Sequence, residues 1–252
     1  MPDDEPLEVA GFADGARYAA ARPGYPAAAV DFLLTSLDID ARSDVVDLGA
    51  GTGLFTRELL GRARSVIAVE PSSSMRAQLV ASLPGVVVLD GRDVEIPLPD
   101  ASAQAIFVAQ AFHWFDAPRA LEEIHRVLVD GGGLGLIWNE RDESLAWVAE
   151  LSRAMRWDVC KPYEVGMDFS PVIEAGPFGR VERRSFRHCQ VLDRSGLIDR
   201  VATTSYIVAM EEAERVELMA EVIRLVERLA EPIVLPYLTE AYRATALLPG
   251  PS

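Results

Sequence analysis

An apolar segment that runs directly into a glycine-rich turn limits this chain to a small set of folds. The sequence VVDLGAGTGLF over residues 45–55 reads as a buried strand, three glycines at alternate positions, and the first turn of a helix. A strand–turn–helix unit of this kind is where open α/β sheets hold a nucleotide. The turn therefore predicts a nucleotide-binding α/β fold.

Strand and helix patterns alternate through the first half of the chain. Strands are predicted over 45–48, 65–69, 86–89, 105–109 and 134–138. Helices are predicted over 27–36, 55–62, 72–82 and 117–129, and the DGGG run at 130–133 is expected to end the last of them. Because such alternation means crossover connections, we predict an α/β fold with a doubly wound, mostly parallel sheet.

The alternation breaks after the fifth predicted strand. A helix over 145–157 precedes a loop-rich stretch, a longer strand over 181–191, helices over 194–203 and 212–230, and a last strand beginning at 233–235. A helical segment after the fifth strand lies at the carboxyl ends of the sheet, where it could cover a site. The expected organisation is an acidic flexible leader (1–17), a cofactor-binding core (18–142), a helical lid (143–179), the completion of the core (180–246) and a tail (247–252).

Composition and charge exclude several classes of protein. No apolar run approaches bilayer-spanning length, and the acidic N-terminal segment lacks the pattern of a secretory signal. A formal net charge of −15, with Lys161 as the only lysine, argues against binding to DNA or bulk RNA. Cys160 and Cys189 are the only cysteines and have no metal-site or disulfide spacing. We therefore expect a cytoplasmic protein with no metal and no membrane or nucleic-acid partner.

The spacing of the glycine turn bears on which nucleotide is held. A dinucleotide fingerprint requires a third glycine where Leu54 stands, and no Gly-Lys-Ser/Thr of a phosphate loop follows. Asp47 near the end of the first strand could accept a hydrogen bond from an ammonium, or merely cap a turn. Glu70 after the second strand could hold a ribose diol, or be a solvated strand end. Together with Asp93 after the third strand, these carboxylates suggest an adenosine that carries an amino-acid-like cation, such as S-adenosylmethionine.

Four consecutive motifs resemble those of class I S-adenosylmethionine-dependent methyltransferases. They are VVDLGAGTG, VIAVEPSSSMRAQL, IPLPDASAQAIFVAQAFHWF and IHRVLVDGGGLGLIWNERDE. The chain is most similar to the small-molecule group of methyltransferase type 11 and trans-aconitate methyltransferase-like proteins, and YAAARPGYP, LDRSGLIDRVATTSYI and VLPYLTEAYRA extend the similarity. The resemblance implies a Rossmann-like, seven-stranded sheet with a helical cap inserted after the fifth strand.

The resemblance also implies which residues contact the cofactor, whose product would be S-adenosylhomocysteine. The glycine turn would pass the methionyl part, Glu70 would hold the ribose, and residues 72–75 would flank adenine. Relatives usually read AE or DAE before the LPLPD run, but this chain reads RDVEIPLP, so Asp93 is predicted to contact the adenine amino group, with Arg92 as the rival. The predicted cofactor-binding residues are Tyr18, Arg22, Asp47, Gly49, Ala50, Gly51, Gly53, Glu70, Pro71, Met75, Asp93, Val94 and Gln110.

The segment AQAFHWF at 109–115 leaves the fourth strand where a methyl donor would meet its acceptor. His113 is the predicted general base, because imidazole titrates near neutrality, although it could be a structural histidine. Gln110 could line the cofactor or orient the acceptor, and Arg141 could pair with an acidic acceptor or with a surface glutamate. The predicted acceptor-binding residues are Phe112, Trp114, Trp138, Arg141, His188 and Tyr206, of which Phe112 and Trp114 could equally fill the core.

These features predict in-line transfer of a methyl group to a small molecule, in which positioning does most of the work. The resemblance favours an oxygen acceptor, either carboxylate or hydroxyl. Methyl transfer to carbon or nitrogen is an alternative. Another is a family member that binds the cofactor without methylating a substrate, or that only regulates a partner. Leu54 argues against an NAD-dependent oxidoreductase, and the charge argues against a nucleic-acid methyltransferase. The expected oligomeric state is a monomer or homodimer.

Overall fold

A computed structural model describes residues 22–157 and 168–248 of the chain. The predicted leader at 1–17, Tyr18, Cys160 and Lys161, as well as residues 249–252 of the predicted tail, lie outside the described residues. None of the described helices combines the length and the apolar composition that a membrane crossing requires.

Helices and strands alternate up to β5, except that β4 follows β3 with no described helix between them, and after β5 most of the elements are helical. The described helices are α1 (Ala27–Ser36), α2 (Leu54–Leu59), α3 (Ser73–Ser82), α4 (Ala117–Val127), α5 (Ala146–Ala154), α6 (Ser170–Glu174), α7 (Arg194–Ala202), α8 (Ser205–Val208) and α9 (Glu212–Val226), with a short 3-10 helix over Phe112–Trp114. The strands are β1 (Asp44–Leu48), β2 (Ser65–Val69), β3 (Val87–Leu89), β4 (Ala103–Ala109), β5 (Leu128–Arg141), β6 (Glu182–Leu192) and β7 (Ile233–Thr245).

The strands form one seven-stranded sheet in the order β3-β2-β1-β4-β5-β7-β6. Neighbouring strands from β3 to β5 in this order pair in parallel. Backbone hydrogen bonds from Ala246 N to Gly132 O and from Asp142 N to Pro236 O show that β7 runs antiparallel to β5. The predicted doubly wound, mostly parallel α/β sheet with helices after the fifth strand is therefore confirmed.

The order of the strands reverses between β1 and β4. These strands are neighbours, although β2 and β3 lie between them in the sequence. Connections that leave in opposite directions open a crevice outside the carboxyl ends of the two strands, which is where open α/β sheets bind ligands. The loops after β1 and β4 touch closely, because a Cβ atom added to Gly49 would lie 2.7 Å from Cβ of Ala111.

The described residues form two compact units, each with its own apolar core. The sheet unit comprises residues 24–139, 168–187 and 239–248, and its main core packs α1 and α2 against strands of the sheet through Leu33, Phe55 and Phe107. The helical unit comprises residues 22–23, 140–157 and 188–238, and its core joins α5, α7 and α9 through Leu151, Leu197 and Val222. The domain limits given above remain a prediction.

The predicted strand at 134–138 lies within β5, but the prediction that the DGGG run ends the preceding helix is wrong. Helix α4 ends at Val127, and β5 begins at Leu128 and runs through the glycines. A Cβ atom on Gly133 would lie 2.4 Å from Leu37 Cδ2, and one on Gly135 would lie 2.6 Å from Phe107 Cδ1. The glycines therefore permit close packing against the end of α1 and against β4 rather than forming a helix cap.

Other boundaries differ from the predictions by a few residues. Helix α2 ends at Leu59 rather than at 62, and α9 ends at Val226 rather than at 230. The apolar pattern continues past the last helical residue in both cases, so periodicity alone did not mark the end.

Candidate active site

The glycine turn after β1 has its three glycines at positive φ. Gly49 and Gly53 are also tightly packed, because a Cβ on Gly53 would lie 2.9 Å from Leu79 Cγ. Gly51, with φ +56°, is different, since the nearest atom to its added Cβ would be Met75 Sδ at 3.8 Å. The turn is therefore fixed at both ends and leaves space at Gly51.

Glu70 joins this turn to the end of β2. Its Oε2 accepts a hydrogen bond from Gly51 N at 2.8 Å, and its Oε1 accepts one from Ser72 N at 2.9 Å. The side chain is buried, and this burial raises the pKa of Glu70, while the two backbone donors partly oppose the rise. Each carboxylate oxygen keeps a second lone pair that could accept from a ligand.

Asp47 is the second buried carboxylate at the turn. Its Oδ2 accepts a hydrogen bond from Thr56 Oγ1 at 2.5 Å, whereas its Oδ1 has no partner among the described residues. Burial and, to a smaller extent, the charge of Glu70 raise the pKa of Asp47 from 3.8 to about 7. The hydroxyl of Thr52, in the turn itself, is also buried without a partner among the described residues.

Two buried carboxylates beside one turn determine the kind of ligand that could bind there. Phosphate groups would be repelled by Asp47 and Glu70, whereas an ammonium or hydroxyl donors would satisfy their free lone pairs. The described His, Cys, Asp and Glu side chains form no group of three or more that could hold a metal ion. The arrangement therefore fits an organic ligand with a positive charge and hydroxyl groups.

The residues predicted around adenine lie on the loops after β2 and β3 and in the first turn of α3. Met75 is buried beneath the turn, while Pro71 is exposed. Asp93 is half-buried and accepts a hydrogen bond from Asp116 N at 3.0 Å, and burial raises the pKa of its carboxyl group. Val94 is also half-buried, and the rival residue Arg92 is exposed.

The loop after β4 has a strained residue followed by aromatic side chains. Gln110 has φ +57°, and its Nε2 donates to Asn139 O at 3.1 Å. A positive φ in a residue other than glycine costs on the order of 1–3 kcal/mol and is often found at functional sites. The His113 ring lies 4.2 Å from the Trp114 ring and 4.9 Å from that of Trp138, measured between centroids.

Some predicted acceptor-binding side chains lie mainly in the core. Phe112 is 2% exposed and packs edge-on against Phe169, and Trp138 is 5% exposed and also contacts Phe169. Trp114 is 39% exposed, so it is the most accessible of the three aromatic residues predicted to bind the acceptor. Of these three, Trp114 is therefore the best placed to meet a ligand, and the adjacent His113 is half-buried.

Four predicted site residues belong to the helical unit. Arg22 Nη2 donates to Thr203 O at 2.9 Å, and Tyr206 Oη donates to Met155 O at 2.7 Å. His188 is half-buried, and burial lowers the pKa of its imidazole. Arg141 at the end of β5 donates from Nε to Ser152 Oγ at 3.1 Å.

Sequence reasoning missed the two threonines of the turn region and two residues of the helical unit. Thr52 stands between two of the glycines, so its position was a usable signal. Thr56 lies in the first turn of α2, where its hydroxyl donates to Asp47. Arg200 and Tyr237 are far from Arg141 in the sequence, and no motif connects them. Only the pairing of β5 with β7, through the hydrogen bond from Asp142 N to Pro236 O, and the hydrogen bond from Arg200 Nε to the Tyr237 hydroxyl bring them close to Arg141.

Comparison with known proteins agrees with the geometry of the turn. Residues 46–136 match a family model described as a methyltransferase domain. An uncharacterized methyltransferase of Mycobacterium tuberculosis is 41% identical over 237 residues, which cover 90% of this chain and 92% of that protein. An uncharacterized methyltransferase-like protein of Schizosaccharomyces pombe is 34% identical over 210 residues, or 82% of each chain.

Solved structures show the same fold at low sequence identity. A protein from Anaeromyxobacter dehalogenans, provisionally assigned as a type II methyltransferase, has a TM-score of 0.66 and 23% identity, covering 90% of this chain and 99% of that one. The [4+2]-cyclase SpnF has a TM-score of 0.55 and 15% identity, covering 95% of this chain and 94% of that one. Solved proteins with this fold are therefore named for more than one kind of reaction.

Proposed function

Because the chain belongs to the methyltransferase family, for which S-adenosylmethionine is the implied methyl donor, we propose that it methylates an oxygen atom of a small-molecule acceptor. The observation that carries the proposal is the pair of buried carboxylates, Asp47 and Glu70, beside the open glycine Gly51. This pair suits a cationic adenosine derivative and does not suit a dinucleotide phosphate.

The residues around the turn fit this cofactor in their chemistry. Oδ1 of Asp47 and Oγ1 of Thr52 are buried and lack partners among the described residues, so they could bind the ammonium and a neighbouring polar group of the amino-acid part. Glu70 would accept from the ribose hydroxyls through its remaining lone pairs. When bound, S-adenosylmethionine supplies a methyl group already activated on a sulfonium, and the co-product is neutral S-adenosylhomocysteine.

The protein itself would orient the acceptor, exclude water and, where needed, accept a proton. Alignment of two reactants can account for several kcal/mol of the barrier. A hydroxyl acceptor loses one proton as its oxygen gains the methyl group, and the imidazole of His113 is the group we propose to take it. A carboxylate acceptor is already ionised at neutral pH and needs no base.

The charge of the chain supports a small-molecule acceptor rather than a nucleic acid. A net charge of −15 would repel phosphate backbones, which bind through clusters of Lys and Arg. We also propose a cytoplasmic location and a monomeric or homodimeric state.

A second candidate function is cofactor binding without methyl transfer. The chain shares its fold with SpnF, a [4+2]-cyclase, so the same fold is found in a protein named for other chemistry. This observation supports the second candidate. Turnover separates the candidates, because only a methyltransferase forms S-adenosylhomocysteine from S-adenosylmethionine in step with the acceptor.

The test begins with thermal unfolding in the presence of S-adenosylhomocysteine or NADH. A ligand at about a hundredfold its dissociation constant should raise the midpoint by about 5–10 °C in a chain of this size. We expect the shift with S-adenosylhomocysteine and none with NADH. Formation of S-adenosylhomocysteine is then measured with a panel of carboxylic acids, alcohols and phenols, and turnover with none of them, but with amines or carbon acids, would contradict the choice of oxygen.

A further inference from the structure

The helical unit brings together two guanidinium groups that have no described carboxylate as a salt-bridge partner. Arg141 ends β5, and Arg200 lies near the end of α7. Within residues 22–157 and 168–248, the salt bridges include neither of these arginines. The backbone hydrogen bond from Asp142 N to Pro236 O places Tyr237 of β7 beside Arg141, and the hydroxyl of Tyr237 accepts a hydrogen bond from Arg200 Nε at 3.3 Å. Burial, followed by repulsion from Arg200, lowers the pKa of Arg141, in agreement with this geometry.

The side chain of Arg141 is held in place by groups that leave its charge unneutralised. Its Nε donates to Ser152 Oγ at 3.1 Å, and its guanidinium carbon lies 4.4 Å from the centroid of the Trp157 ring. No described residue accepts a hydrogen bond from Nη1 or Nη2, which carry four of the five N–H donors. Since the residue is only half-buried, these donors are not sealed in the core.

Arg200 is held in a similar way. Its Nε donates to the hydroxyl oxygen of Tyr237 at 3.3 Å, and that hydroxyl lies 3.5 Å from Gln190 Oε1. Tyr237 is 1% exposed, so it provides a rigid partner. The terminal amino groups of Arg200 also donate to no described residue.

Two like charges held together and partly removed from water are costly unless an anion joins them. Glu143 attracts Arg141 only weakly, because its effect on the pKa of Arg141 is smaller than those of burial, of Arg200 and of two nearby tyrosines. The side chain of Glu143 is exposed. The dipole of α7 favours a cation in its last turn, where Arg200 lies. In a chain of net charge −15, such a basic site is a local exception.

We infer that Arg141 and Arg200 together bind an anionic group, a carboxylate or a phosphate, of a small-molecule ligand of the helical unit. The planar fork of a guanidinium matches either anion through two parallel hydrogen bonds. This inference goes beyond the proposed function, since it concerns the helical unit alone and adds an anion site there.

The test uses the full chain loaded with S-adenosylhomocysteine, and calorimetric titration with succinate, with inorganic phosphate and with the neutral analogue succinamide. We expect at least one of the two anions to bind and succinamide not to bind. Arg141→Gln and Arg200→Gln should each weaken anion binding by about 10-fold or more, the usual effect of losing a charged hydrogen bond. Whichever of the two anions binds identifies the class of anionic group.

The matched control is Arg224→Gln, which removes the same charge from an exposed position on α9 in the same unit. It should leave anion binding unchanged. Arg141→Lys keeps the charge but loses the fork, so it should bind the anion more weakly than the wild type even if Arg141→Gln fails to fold. Failure of both anions to bind the wild type, or equal weakening by all four variants, would overturn the inference.

The affinity for S-adenosylhomocysteine separates this inference from the proposed function. Arg141→Gln and Arg200→Gln should keep the wild-type affinity for S-adenosylhomocysteine while losing the anion. If the wild type does not bind S-adenosylhomocysteine, the proposed function fails, and the same anion titrations on the ligand-free protein still test the arginine pair.

Discussion

Glu70 closes the glycine turn of the neighbouring strand, because its Oε2 accepts a hydrogen bond from Gly51 N at 2.8 Å. The carboxylate after β2 thus positions the backbone after β1, in addition to any contact with a ligand. The predicted ribose-binding residue therefore also preorganises the turn that would hold the rest of the cofactor.

Replacement of Glu70 by alanine should weaken binding of S-adenosylhomocysteine by about 1.5–3 kcal/mol, because a charged hydrogen-bond acceptor is lost. Calorimetric titration measures the effect. Glu122→Ala, which removes an exposed carboxylate from α4, serves as the control and should bind normally. An unchanged dissociation constant for Glu70→Ala would show that Glu70 does not bind the ribose.

The raised pKa of Asp47 predicts that the ligand-free protein loses stability as the pH rises. The carboxyl group titrates near 3.8 when unfolded and at about 7 when folded, so between these values the folded state holds a proton that the unfolded state lacks. The free energy of unfolding should therefore fall between about pH 4 and pH 7, on the order of a few kcal/mol from this group. Urea unfolding of the wild type and of Asp47→Asn measures the effect.

The Asp47→Asn variant should show a shallower fall in stability over this range, with the remainder due to other groups, including Glu70, whose pKa is also raised. Parallel curves for the two proteins would show that Asp47 is ionised in the folded state at all these pH values. Binding of a cationic ligand beside Asp47 should also release a proton below about pH 7, which calorimetry in buffers of different ionisation enthalpy detects.

Replacement of His113 by glutamine should lower the rate of methyl transfer to a hydroxyl acceptor about 100-fold or more, because the proton acceptor is lost. The affinity for S-adenosylhomocysteine should stay normal. His125→Gln is the matched control, because His125 Nε2 lies 2.8 Å from Leu247 O and has no proposed catalytic role. A near-normal rate for His113→Gln would assign His113 a structural role.

The close contact between the loops after β1 and β4 can be tested with two alanine substitutions. Gly49 and Gly61 have similar φ angles of +71° and +76°, but an added Cβ at Gly61 would have no atom within 4 Å. Both variants should lose stability because alanine disfavours a positive φ. Gly49→Ala should be destabilised further, by about 1–3 kcal/mol, because its Cβ overlaps with Ala111. If urea unfolding shows that both variants lose the same free energy of unfolding, the two loops can separate without strain.

The sequence predicted the first half of the fold well because its signals there are local. The limits of β2 were predicted without error, and β1 and α3 differ by one residue from the predictions. Buried parallel strands are short apolar runs, and the glycine turn between β1 and α2 can be adopted by few other residues. Asp47 and Glu70 could be placed at the strand ends for the same reason.

The DGGG run shows where local signals fail. Glycine after an amphipathic helix is the usual signal of a C-cap, but here the glycines lie within β5. Their role depends on Leu37 and Phe107, which lie on α1's following turn and on β4. A contact with residues so distant in the sequence leaves no trace in the local pattern.

The sequence by itself determined the alternation of strands and helices, the glycine turn and the two carboxylates beside it, because each depends on neighbouring residues. The tertiary structure alone decided that Glu70 bonds to Gly51, that Asp47 is fully buried, and that Arg141 lies near Arg200. These relationships arise when separate apolar faces pack together, and packing is what removes water from a charge, raises or lowers its pKa and creates the need for a partner.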